Sequence, residues 1–146
     1  MLESILEMQK KSAQWVANLP ANIVRVIETN QGKTIDFNRM QMISNKDANG
    51  KPLIHSRTGS PYLSKAYARR MHKSKPDLFV NGQFQDAMFL TMPSEKEYFI
   101  SSKDYKTQFL AKNYGNIFGV APTNQPKAQS INNKLILDDF KTAVFK

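Results

Sequence analysis

The chain has no cysteine, only two histidines and one tryptophan, and no long apolar run. Without cysteine there is no thiol nucleophile, no disulfide frame and no thiolate zinc site. His55 and His72 do not stand at a metal-ligand spacing such as His-x-x-x-His, so each reads as a surface or loop residue. Glycine is sparse, with six in 146 residues, and no Gly-x-Gly-x-x-Gly, Walker or Gly-x-Ser-x-Gly pattern occurs. No apolar stretch approaches the ~20 residues of a membrane span. The opening MLESILEMQKKSAQW is amphipathic and lacks the basic-then-apolar order of a secretion signal. The expectation is no enzyme, no cofactor, no metal and no membrane partner.

Acid is missing from one region in particular. Residues 51–76 carry seven Lys or Arg and no Asp or Glu. The flanking regions, 1–50 and 77–146, are close to balanced, at six basic against five acidic and eight against seven. The formal charge of +9 is therefore a local patch. A local patch orients a contact with something anionic, where evenly spread charge would only aid solubility.

The length fits one domain of 1–146 with a real core. Leu2, Ile5, Leu6, Ala13 and Val16 recur at helical spacing, which predicts a helix over 2–18. Pro20 suits a first turn, and Ile23, Val24 and Ile27 mark a second helix ending at Asn30-Gln31-Gly32. Residues 1–32 thus form a helical N-terminal arm. Residues 33–59 show no sustained period and read as a loop, with a tight turn at Asp47-Ala48-Asn49-Gly50.

Ser60 as N-cap and Pro61 at the first position predict a basic helix over 60–76, stopped by Pro76. In that helix Leu63, Ala66 and Tyr67 face inward, and Lys65, Arg69 and Lys73 form an outer row with Arg70 and Lys75 beside it. Residues 83–92 and 97–102 are β-favouring and separated by MPSEK, which predicts a hairpin. Asp104 caps a short helix ending near Tyr114-Gly115. Residues 116–129 read as a loop anchored by Ile117-Phe118, and Ser130 caps a last helix carrying Ile131, Leu135, Phe140 and Val144. The class is α+β: a small antiparallel sheet flanked by an N-terminal helical hairpin, a central basic helix and a C-terminal helix, with long loops.

Two acidic pairs are candidates for chemistry. Glu95 and Glu97 would share a strand face, but a hydrolytic pair needs a cleft that the sequence does not signal. Asp138 and Asp139 are adjacent, so on a helix they diverge by about 100° and read as solvent-exposed. The basic patch is the remaining candidate, with Lys65, Arg69, Arg70, Lys73 and Lys75 as its binding residues. It faces either the phosphates of DNA, without sequence preference, or an acidic protein surface.

The pieces DFNRMQMISNKDANGKPL, Tyr62 with Tyr67-Ala68, Pro76-Asp77-Leu78 with Gly82-x-Phe84, and Tyr114-Gly115-x-Ile117-Phe118 occur in that order. From about Ile35 to Phe118 this order resembles the virion-morphogenesis and tail-completion proteins of tailed bacteriophages, the head–tail connector or neck class. VAPTNQPKAQ stands where a better-known branch carries a Pro-Arg-Pro-Phe-like segment. The resemblance implies a structural virion protein, assembled in the host cytoplasm. Its homo-oligomeric ring would join the DNA-filled head to the tail beside portal, adaptor or tail-tube proteins, with possible non-specific contact with packaged DNA. No catalytic residues come with it. The rival class is a small basic nucleic-acid-binding protein.

Overall fold

The structure is a computed structural model that describes residues 1–79 and 81–146. Helix α1 (Leu2–Ala17) and helix α2 (Leu19–Thr29) are separated only by Asn18. The Asn18 amide donates to the Gln14 carbonyl, satisfying an orphan acceptor at the end of α1. Pro20 lies in the first turn of α2, where its missing N–H costs nothing. α2 buries Val26 and Ile27, whereas α1 buries none of its residues.

The stretch expected to be loop from residue 33 is largely helical. Helix α3 spans Gln31–Ile43. It escaped the pattern because its buried face is half polar: Thr34, Asn38 and Gln41 lie beside Ile35 and Met42. An apolar period is the usual sign of a helix, and here hydrogen-bonding side chains occupy the inward positions. The irregular connection is therefore shorter, running from Ser44 to Ser64. Within it the Asp47–Gly50 turn forms as expected, closed by a bridge between Lys46 and Pro52, with Gly50 at φ +78°. Leu53 anchors the connection in the core.

The basic helix is also shorter than expected. Helix α4 spans only Lys65–Met71. Its N-cap is Ser64, whose hydroxyl accepts from the Tyr67 amide, and not Ser60. His72 ends it in the left-handed region at φ +55°, before Pro76 comes into play. Ala66 is exposed, not inward as expected, so α4 rests on the molecule through Tyr67, Ala68 and Met71.

A single-turn helix α5 (Gln83–Asp86) replaces the start of the expected first strand. Strand β1 runs Met88–Ser94 and β2 runs Glu97–Ser102, paired antiparallel with Leu90 opposite Ile100. The register shifts between Thr91 and Ser94, at Pro93, which has no N–H to give to a ladder. Helix α6 spans Thr107–Tyr114 and ends at Gly115, φ +74°. Helix α7 spans Gln125–Phe145, starting before the expected Ser130 cap. Pro126 in its first turn is a helix opener, not the loop residue its composition implied.

The fold is α+β with a two-stranded sheet. α7 crosses α1, α2 and α3, and β1 packs on α2 and α3. The core joins Ile27, Ile35, Met42, Phe84, Leu90 and Ile117 with Met88, Ile100 and Val120. At its edge Asp139 is not the free carboxylate expected. It accepts from Trp15 Nε1 at 2.9 Å and from Arg25 at 2.7 and 3.0 Å, tying α1 and α2 to α7. Asp138 is exposed.

Candidate partner-binding surface

The basic segment is held in shape by its own backbone and by three of its cations. Leu63 N–H donates to the Ser74 carbonyl at 2.8 Å, so the chain returns beside its entry point. Lys73 does not continue an outer row. It lies beyond the end of α4, and its ammonium donates to the Asp77 carboxylate and the Phe79 carbonyl. Both side chains of that ion pair are about three-quarters covered, so Lys73 fixes the following loop instead of facing a partner. Arg70 lies over the Tyr67 ring at 5.1 Å and Lys75 over Tyr62 at 5.8 Å, both cation–π contacts. Lys65 and Arg69 are exposed and take part in no ion pair among the described residues.

Beneath the segment lies a cleft of about 460 Å³. Leu63, Phe84 and Leu110 give it an apolar floor, and Tyr67 and Tyr114 give it aromatic walls. His55 stands edge-on to Tyr114, with ring centres 5.4 Å apart. Burial holds the Tyr114 hydroxyl above its usual pKa, with a smaller push from Tyr67, so it stays a neutral donor. Arg57 and Lys106 also line the cleft.

Gln85 also lines the cleft and is 5 % exposed. Its amide nitrogen donates to the Leu78 carbonyl at 2.9 Å. Its Oε1 is buried and has no partner, the one such side-chain atom among the described residues. An unpaired buried acceptor costs on the order of 1–3 kcal/mol. Neither Gln85 nor the His55–Tyr114 wall was legible in the sequence: α5 read as strand, and the cleft assembles segments far apart in the chain.

The other acidic candidates do not converge. Glu95 lies in the hairpin turn and only Glu97 is in β2, so the two do not alternate along one strand face. No group of three His, Asp or Glu side chains able to hold a metal occurs among the described residues. Comparison of the chain with protein-family models, with curated proteins and with solved structures found no match.

Proposed function

We propose that this chain is a non-enzymatic structural protein of a tailed-phage virion. In this reading it forms a homo-oligomeric ring at the neck or tail-completion position, between the head and its portal or adaptor proteins and the tail tube. The order of sequence pieces that resembles the tail-completion class motivates the position. The carrying observation is surface left uncovered around a complete core. α1 leaves Leu2, Ile5 and Leu6 exposed at helical spacing, while the opposite chemistry, cations of which all but Lys73 lie outside any ion pair among the described residues, gathers on 51–76. Two such surfaces on one small chain suit contacts with two different neighbours.

The basic segment then serves as a docking face for an acidic ring neighbour. Charge steers and orients that approach. The cleft beneath favours protein over DNA as the occupant. The apolar floor of Leu63, Phe84 and Leu110 has no use for a phosphate, whereas a peptide segment brings apolar side chains to fill it.

Immunogold labelling of purified particles tests the position: label is expected at the head–tail junction, and label confined to host cytoplasm would sink it. A salt series with duplex DNA tests the rival nucleic-acid reading. Tight, steeply salt-dependent binding by the isolated monomer would favour that rival.

A further inference from the structure

The two edges of the hairpin are treated differently. An open edge strand presents N–H and C=O groups that invite pairing with another chain, and folded proteins usually block it. On β1 the block is made by side chains. Gln31 Oε1 accepts from the Leu90 amide at 2.8 Å, and Glu28 Oε1 accepts from the Met92 amide at 3.0 Å. Those amides therefore point away from β2. By alternation the outward groups of β2 belong to Tyr98, Ile100 and Ser102, since Leu90 stands opposite Ile100. No hydrogen bond from outside the hairpin reaches the N–H of these residues among the described residues. Only the Ser102 carbonyl is engaged, by the Thr107 hydroxyl at 3.0 Å. β2 carries none of the usual blocks: no proline and no inward-pointing charge.

We infer that β2 pairs antiparallel with β2 of a second copy of this chain, in a register centred on Ile100. Three features make the strand complementary to itself in that register. Ile100 meets Ile100, a pair free to exchange both of its bonds, and Tyr98 meets Ser102, whose N–H is free and whose carbonyl, already accepting from Thr107, has a second lone pair to offer. Glu97 falls opposite Lys103 at both ends, on the solvent face of the sheet. Both are exposed and neither is in an ion pair among the described residues; Lys103 only leans over Phe89 at 5.5 Å. Phe99, 60 % exposed on the same face, comes diagonal to Phe99 of the second copy, within aromatic reach. A shift of the register by two residues would break the charge match at both ends. The result is a four-stranded sheet across a two-fold axis.

A two-fold pair closes at two copies and is not the head-to-tail contact of a ring, so this inference stands or falls apart from the neck reading. Sedimentation of the full chain from low to several hundred micromolar is the test. A reversible monomer–dimer equilibrium is expected. Glu97→Lys and Lys103→Glu each place like charges at both ends and should weaken it by about tenfold or more. The double variant restores opposite charges in the same register and should recover most of the loss. Unchanged helical circular dichroism would show that the variants fold. Hydrogen exchange adds a readout independent of charge: the Tyr98 and Ile100 amides should become protected as concentration rises, and the Leu90 amide should be protected throughout. A chain that stays monomeric at every concentration overturns the inference. So does a dimer indifferent to the single substitutions, or a double variant no better than either.

Discussion

Two polar regions of this molecule are built in opposite ways. The inner face of α3 is polar and closed. Asn38 is 0 % exposed, donates to the Ile117 carbonyl at 2.9 Å and accepts from the Gly119 amide at 2.9 Å. Gln41 donates to the Gly119 carbonyl and accepts from the Ala121 amide. Thr34 and Asn132 bond each other across to α7. The segment 117–121 has no regular structure, and these side chains supply the partners that a sheet or helix would otherwise give its backbone. The basic segment 60–76 is polar and left open at Lys65 and Arg69. The contrast teaches that polarity alone does not mark a binding surface. What separates the two regions is whether the donors and acceptors already have partners.

Breaking the closed region should cost most. Asn38→Leu strips two buried backbone groups of their partners and should destabilise by about 3 kcal/mol, read from urea denaturation. Gln41→Ala should cost about 2 kcal/mol by the same measurement and loosen hydrogen exchange at Ala121. Within the basic segment the internal cation differs from the outward ones. Lys73→Ala removes the bonds to Asp77 and Phe79 and should cost about 1 kcal/mol, seen as a lowered melting temperature.

Asp139 lies between the two regimes. Its pKa is lowered chiefly by the hydrogen bond from Arg25, against a burial penalty, with Trp15 adding to the lowering. The folded value is below the unfolded one, so the stabilisation is present above the unfolded carboxylate range. It is lost as pH falls through the folded value. Arg25 is half exposed, which screens the pair to under about 1 kcal/mol. Asp139→Asn should lower stability at neutral pH by that amount, with the gap to wild type closing in acid. The smallest effect on folding belongs to the open cations. Lys65→Glu with Arg69→Glu should leave the denaturation midpoint unchanged yet impair joining of heads to tails in particles. Normal joining would remove the basic segment from the proposed role.

Much of the element order was legible. α1, α2 and the hairpin announce themselves through period or turn, and α6 through its stop at Tyr114-Gly115, signals that act within a few residues, although the α6 N-cap is Lys106 and not the expected Asp104. α3 was not legible, because Thr34, Asn38 and Gln41 stand where a helix usually shows apolar side chains. The start of α7 was not legible, because Pro126 and Asn124 have loop-like composition and become a helix opener only when the first turn they begin is in view. In the candidate surface the cations were visible as a group, but their fates were not. Lys73 belongs to Asp77, Arg70 and Lys75 lie on tyrosine rings, and only Lys65 and Arg69 remain as the sequence placed them.

The sequence by itself determined the chemistry available. It excluded thiols and concentrated positive charge without acid over 51–76. It also set the helices and strands whose signals are local. Tertiary structure decided which polar groups are satisfied. The partners of Asn38 lie 79 and 81 positions along the chain, and those of Asp139 lie 114 and 124 away. A hydrogen bond depends on distance and direction in space, not on separation in sequence. That is why the closed seam of α3, the unpaired oxygen of Gln85 and the one open edge of the hairpin appear only when the chain is folded.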